Sequence, residues 1–392
     1  MEDFKPSLGN PARGNAFYPR KKEIAKIYDL LEINANIYLS APRRVGKTSI
    51  LKYLEDTDND KGYFFIYVIT ESVYSVNDFF KVLYNDLVHS KAINNLAKLS
   101  SGLTSLLSTV LQTVDEVGVV KLKDQEEPDY HQKFIDLLSK IDKGVGRVVI
   151  MIDEFPQTIH NIYKEHGENE ARRFIQLNRE LRHHKVTEEK VSFIYTGSIA
   201  LFPRVEKIAS LADVNDLRTL EVHPLSRAEA MDLLYLLCKR KNVAIGAAGI
   251  EYMLDEIRWF IPFHIQLVYQ ELEDIFYDKQ GPLDNADVDT AIAKTIAAKN
   301  KAMFEPYFSR LKGLLDNNEY LYAMGVLVYT AQNDTIDKAI FFDLSQKYAV
   351  DNYKGIMEGL CEDGYLYETE ETYRYTSPIL QLWCKKNNGD GI

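Results

Sequence analysis

The stretch APRRVGKTS, Ala41 to Ser49, stands between a short apolar run, NIYLS (Asn36 to Ser40), and the helical sequence TSILKYLED. It fits the phosphate-binding pattern GxxxxGK[ST], except that Ala41 takes the place of the first glycine. The spacing has a physical basis. Backbone N–H groups of such a loop wrap the β-phosphate of a nucleotide, the helix that follows presents its positive N-terminus, and Gly46 permits close backbone approach. Lys47 then reaches the β- and γ-phosphates, and Thr48 offers a hydroxyl to Mg2+. Alanine at position 41 is tolerable provided that position needs no positive φ. The candidate nucleotide-binding set is therefore Ala41, Pro42, Arg43, Arg44, Val45, Gly46, Lys47, Thr48 and Ser49.

Further apolar runs follow at YFFIYVIT (Tyr63 to Thr70), RVVIMID (Arg147 to Asp153), VSFIYTG (Val191 to Gly197) and TLEVHP (Thr219 to Pro224). Short continuous apolar strands separated by longer helical stretches predict an α/β domain with a buried parallel sheet and helices on both faces. The third strand ends in two acids. In a phosphate-loop sheet this puts Asp153 beside the Mg2+ shell, together with Thr48, and Glu154 where it can polarise an attacking water. An isolated Asp-Glu pair would be read as a solvated turn; the phosphate loop upstream is what changes the reading.

Other residues are candidates on position alone. Ser198, at the tip of the next strand, either senses the γ-phosphate or caps the following helix. Arg218, just before the expected fifth strand, is placed to reach a neighbouring subunit's γ-phosphate or to form a salt bridge. Arg179 and Arg182, in the basic stretch ARRFIQLNRELRHHK, compete for that role, though the preferred reading is a solvated helix face at a subunit or domain contact. Pro224 is a candidate to stack on adenine, with Tyr18 and Arg20 of the N-terminal arm on the other side. His264 either senses phosphate from a lid or is a satisfied buried histidine. No HExxH or other metal-binding histidine spacing occurs.

The 392 residues carry 47 basic and 58 acidic side chains, a net charge of −11. That sign argues against a surface wholly dedicated to nucleic acid, because phosphate neutralisation needs lysine and arginine in excess. Three scattered cysteines, Cys238, Cys361 and Cys384, suggest neither a disulfide framework nor a CxxC site and fit a reducing cytoplasm. No leader-like segment and no apolar run long enough to span a bilayer is present, so a soluble cytoplasmic protein is expected.

From Ser226 the pattern becomes helical, opening with a capping box of Ser226 and Glu229. The expected division is an arm and helix at 1–30, a phosphate-loop core at 31–224 with an insertion near 77–125, a helical lid at 225–301, and a final domain at 302–392. That last segment reads as three helices followed by the hairpin YLYETEETYRYTSP, the winged-helix order. Within the insertion, Leu103, Leu106, Leu107, Val110, Leu111 and Val114 form an apolar stripe opposite Ser101, Thr104, Ser105 and Ser108. The preferred reading is a helix packed on the protein's own core, with a partner-binding or membrane-surface helix across 96–114 as the alternative.

Taken together, NPARGNAFYPRKKEI, APRRVGKTSIL, VVIMIDEFP, FIYTGS, NDLRTLEVHPLSRAEA and EDGYLYETEETYRYTSPILQLW resemble the archaeal-type ATPases of the MNS group, in the STAND branch of the AAA+-related P-loop NTPases. The resemblance runs in order along almost the whole chain. It implies an ASCE-type P-loop NTPase core, a helical lid, a C-terminal winged helix and ATP-dependent switching. Two departures stand out. Ile261-Pro262-Phe263 lacks the glycine that often precedes the lid proline in the family, and no GxR sensor arginine is evident in the lid, so an arginine from another subunit or a protein partner is implied.

Winged helices often set their third helix in the DNA major groove. Here the candidate helix, DNYKGIMEGLCED, carries Asp351, Glu358, Glu362 and Asp363 against Lys354, and the wing tip carries Glu368, Glu370 and Glu371. Acids on both contacting elements repel phosphate. The expected function is thus an ATP-binding and ATP-hydrolysing switch for signalling or regulated assembly. A DNA-associated ATPase of initiator or transposition-regulator type is the alternative, and a nonhydrolysing nucleotide-binding scaffold is disfavoured by Glu154.

Overall fold

The computed structural model describes residues 4–57, 61–98, 102–105, 127–142, 144, 146–197 and 200–388. They form two compact units, one made of Arg20–Ser40 and Ile50–Glu221, the other of Met1–Pro19, Ala41–Ser49 and Val222–Ile392.

The first unit is built on five strands: β1 (Asn36–Ser40), β2 (Tyr63–Ile69), β3 (Arg147–Asp153), β4 (Val191–Thr196) and β5 (Leu217–Glu221). All neighbouring pairs are parallel, in the order β2-β3-β4-β1-β5. The helices that accompany them are α1 (Lys21–Glu32), ahead of β1, then α2 (Lys47–Asp56, counted in this unit from Ile50), α3 (Val76–His89), α4 (Lys91–Ala97), α5 (Tyr130–Ser139), α6 (Phe155–His166), α7 (Glu168–His183), α8 (Lys185–Glu188) and α9 (Leu201–Ile208).

Burial explains why most strands are legible. Central β4 is buried along its whole length and β3 from its second residue on, so both read as unbroken apolar runs. Edge strand β5 differs: Leu217 and Leu220 are buried while Arg218 and Thr219 are exposed. It begins two residues earlier than TLEVHP implies, because Leu217 pairs with Asn36 of β1. The core beneath the sheet is aromatic. Phe79 meets Phe174 edge-on at 4.8 Å, and Phe155 lies 4.6 Å from Tyr195.

The second unit is mainly helical: α10 (Arg227–Lys241), α11 (Ala247–Ile257), α12 (Pro262–Lys279), α13 (Asn285–Thr295) and α14 (Lys301–Leu314). The Ser226–Glu229 capping box opens α10 as expected. There follow α15 (Asn317–Asn333), β6 (Ile336–Asp337), α16 (Lys338–Tyr348), α17 (Tyr353–Glu362), β7 (Leu366–Glu368), β8 (Thr372–Tyr375) and α18 (Pro378–Asn388). Strands β6, β8 and β7 make a small antiparallel sheet, in that order. At two residues, β6 is too short to leave a period in the sequence. Trp383 of α18 stacks on Phe308 at 5.0 Å and Phe304 at 5.8 Å, anchoring the tail in its own unit.

The amphipathic stripe lies outside the described residues except for a helical stretch at 102–105, where Leu103 is buried and Thr104 and Ser105 are exposed. No helix among the described residues is long and apolar enough to cross a membrane.

Candidate functional site

The loop between β1 and α2 takes its shape from two left-handed residues, Arg44 at φ 66° and Gly46 at φ 108°. Ala41 is not among the positive-φ residues, so the missing first glycine costs the loop nothing at that position. Lys47 is buried, and its ammonium donates to the carbonyls of Ala41 at 2.6 Å and Pro42 at 3.2 Å. Ser49 Oγ accepts from the backbone N–H of Ala12, tying the N-terminal arm to the loop at 2.9 Å.

The two loop arginines face aromatic rings of the same unit. Arg44 lies 4.3 Å from the centre of the Phe263 ring, and Arg43 lies 5.8 Å from that of Tyr307. Burial, reinforced by the nearby charge of Arg310, lowers the pKa of Arg43. Arg310 of α14 pairs with Asp363 at 2.5 Å, its Nε donates to Tyr365 Oη at 3.1 Å, and Tyr365 in turn donates to the Tyr307 carbonyl. Between those two partners sits Gly364 at φ 79°. A Cβ there would stand 2.8 Å from Pro42 Cβ and 3.0 Å from the Trp259 ring, so only glycine lets this turn lie against the phosphate loop.

The acidic turn belongs to the sheet unit. Ile152 pairs with Tyr195, and Thr196 pairs with Leu39, so β3, β4 and β1 end at one edge. That is where ligands bind in open α/β sheets. Asp153 is buried, its Oδ1 accepting from the Glu154 N–H and its Oδ2 from the Tyr67 hydroxyl, both at 3.1 Å. Thr70 donates from its N–H and its hydroxyl to the Asp153 carbonyl, and Thr158 bonds back to Thr70.

Glu154 adopts φ 63°, ψ 31°, left-handed for a residue with a side chain, and α6 starts directly after it. Backbone strain of this kind clusters at functional sites. Its carboxylate is beside the tip of β4: Glu154 Oε2 lies 3.5 Å from where a Cβ at Gly197 would stand, and that same Cβ would be 2.6 Å from Pro156. Glycine at 197 thus allows the strand tip to approach the acidic turn. Burial first, and then the charge of Asp153 and the bond to it, raises the pKa of Tyr67, so its phenol remains a donor.

Ser198 lies outside the described residues. Arg218 is within β5 and exposed, rather than ahead of the strand. Pro224 is half-buried, and Tyr18 donates to Asp232 at 2.9 Å. Arg20 is buried and paired with Glu23 at 3.0 Å. Arg182 is no solvated helix-face residue. Its guanidinium is buried and bidentate to Asp216, at 2.6 and 2.7 Å, with a further bond to the Asp213 carbonyl, while Arg179 lies 3.6 Å from Asp213. Asp363 is turned inward to Arg310, leaving Glu358 and Glu362 of α17, and Asp351 in the turn before it, as exposed acids.

His264 is fully buried between Ser377 Oγ at 3.2 Å from Nδ1 and Tyr307 Oη at 3.4 Å from Nε2. Burial, with the charge of Arg44 adding to it, pushes its pKa down to about 3. The neutral imidazole must therefore bind a proton on unfolding anywhere between that value and its ordinary 6.5. The unfolded state holds the extra proton in this window, so stability falls as pH drops, by about 1.4 kcal/mol per pH unit from this site. Denaturation at several pH values is expected to give a flatter acid limb for His264→Gln than for the parent. Parallel limbs would remove His264 as the cause.

Among the described residues no group of three His, Cys, Asp or Glu side chains could hold a metal ion. Mg2+ does not require one, since it takes one or two hard oxygen ligands from protein and the rest from phosphate and water. The buried carboxylate of Asp153 and the hydroxyl of Thr48 are donors of that kind.

Residues 15–200 match a family of AAA-ATPase-like proteins described as predicted AAA-ATPases. A search of the curated proteins found no match. Among solved structures, the chain is similar to the Walker-type ATPase paby2304 of Pyrococcus abyssi, with 14% identity, 96% of this chain and 99% of that one covered, and a TM-score of 0.62. It also aligns with the Aeropyrum pernix ORC2 protein over 97% of both chains, at 10% identity and a TM-score of 0.46, too low to add to the fold assignment. The first likeness shows the fold: an α/β architecture built on a parallel five-stranded sheet with a second, mainly helical unit.

Proposed function

We propose that the chain binds ATP, hydrolyses it with Mg2+, and uses the nucleotide state to set the position of its lid (225–301) and winged helix (302–392) relative to the core (31–224, after the arm at 1–30). Lys47 and the backbone of Ala41 to Ser49 hold the phosphates, Thr48 and Asp153 hold the metal, and Glu154 accepts the proton of the attacking water. Bound Mg2+ would neutralise phosphate charge. Ser198 is assigned to sensing the γ-phosphate, Pro224 to the base, and Arg218 to a neighbouring copy or a partner protein.

One observation carries the switch reading. Arg43, Arg44 and Pro42 are packed against Tyr307, Phe263 and Gly364, which belong to the helical and winged-helix parts of the chain. Rearrangement of the loop around phosphates changes these contacts, and differential contacts are what a ligand needs to shift a conformational equilibrium. The exposed acids of α17 support a protein-facing rather than a DNA-facing role for the winged helix.

Gly364→Ala tests the coupling. Its Cβ meets Pro42, and ATP affinity is expected to change several-fold. Gly167→Ala is the control: φ there is 83°, with nothing within 4 Å of the added carbon, so it reports backbone strain alone. ATP affinities unchanged in Gly364→Ala would sink the switch. Mass measurement with ADP, with ATP and with DNA distinguishes an assembling switch from a DNA-loaded ATPase.

A further inference from the structure

We propose that Tyr67 is a positioning residue for the metal-binding carboxylate of Asp153, an assignment that rests on the nucleotide reading above. Asp153 Oδ1 is committed to the Glu154 N–H, and the Tyr67 hydroxyl holds Oδ2 at 3.1 Å. With both oxygens held, the carboxylate plane is fixed before any cation arrives. The phenol itself is held from two sides. Its backbone lies in β2, where Tyr67 pairs with Met151 two residues before the acid, and the Lys52 ammonium sits 3.2 Å from the centre of its ring. Lys52 is steadied in turn by Glu55 at 3.1 Å. A cation over the ring face withdraws electron density from the phenol and strengthens its hydroxyl as a donor. Groups that orient a ligating side chain typically change metal affinity about 10- to 100-fold when removed.

The test uses the full chain carrying Glu154→Gln, so that ATP is not consumed, and reads ATP binding by calorimetry across a Mg2+ titration. Adding Tyr67→Phe, which keeps the ring and removes one oxygen, is expected to raise the Mg2+ concentration for half-maximal tightening about tenfold. ATP affinity in EDTA and the melting temperature should stay at parental values, which loss of packing would not allow. Lys52→Met is expected to shift the midpoint in the same direction by a smaller factor, and it reports independently should Tyr67→Phe fold poorly. A Mg2+ midpoint that neither substitution moves overturns the assignment to Tyr67 while leaving the nucleotide reading intact. A parent whose ATP binding ignores Mg2+ overturns both.

Discussion

Glu154→Gln is expected to lower ATP turnover by about 10²- to 10⁴-fold while leaving ATP affinity within about twofold of the parent. The substitution is nearly isosteric. It keeps the left-handed turn at φ 63°, the bond from the residue-154 N–H to Asp153, and the approach of the side chain to Gly197. What it removes is a carboxylate able to take a proton from water. Turnover is read as phosphate release over many cycles, and affinity by calorimetry on the same preparations. Equal turnover in the two proteins would make Glu154 a turn residue only. A fall in affinity as large as the fall in turnover would make it a binding residue, since an interaction made only in the transition state lowers kcat without weakening the ground state.

The loop between β1 and α2 and the acid pair after β3 stand out in the sequence because each is a run of contiguous residues at the end of a buried strand. Asp153 and Glu154 end an apolar run, and Gly46-Lys47-Thr48 interrupts another, so both appear as local breaks in a strand pattern. The central strands were legible for the same reason, since burial on both faces leaves an unbroken apolar string. Edge strand β5 was misplaced by two residues because three of its five residues face water.

Residues that act through tertiary contacts left no such mark. Tyr67 is one aromatic residue in an aromatic strand, and only the pairing of β2 with β3 brings it to Asp153. Arg310 sits 53 residues from Asp363 in the chain, and nothing local announces the pair. Gly364 reads as an ordinary turn glycine until Pro42 is found against it. Arg182 misled in the opposite direction. The helix Ala171 to Lys185 looks basic and solvated when counted by composition, yet its 3.6-residue period turns Arg182 inward with Phe174, Ile175 and Leu181.

That inward turn gives Arg182→Met a large expected effect on stability and none on chemistry. The guanidinium is buried and makes three hydrogen bonds, two to Asp216 and one to the Asp213 carbonyl. Its removal leaves the Asp216 carboxylate, whose side chain is only 14% exposed, without its main partner. Breaking one side of a buried pair costs about 3–5 kcal/mol, mostly as the penalty of the charge left behind. Removing both charges, as Arg182→Met with Asp216→Leu, is therefore expected to recover much of that loss, a non-additivity that a double-mutant cycle in urea measures directly. The pH dependence has a definite sign. Burial alone would raise the Asp216 pKa, but the hydrogen bonds and charge of Arg182 outweigh it and hold the carboxyl below its ordinary 3.8. The pair's contribution is thus present above that ordinary value and lost as pH falls through the folded one. The gap between parent and Arg182→Met should accordingly narrow in acid. An arginine completing a neighbour's nucleotide site would behave otherwise, with turnover collapsing while the denaturation midpoint and its pH dependence stayed parental. That outcome would remove Arg182 from the core and displace Arg218 as the arginine assigned to catalysis.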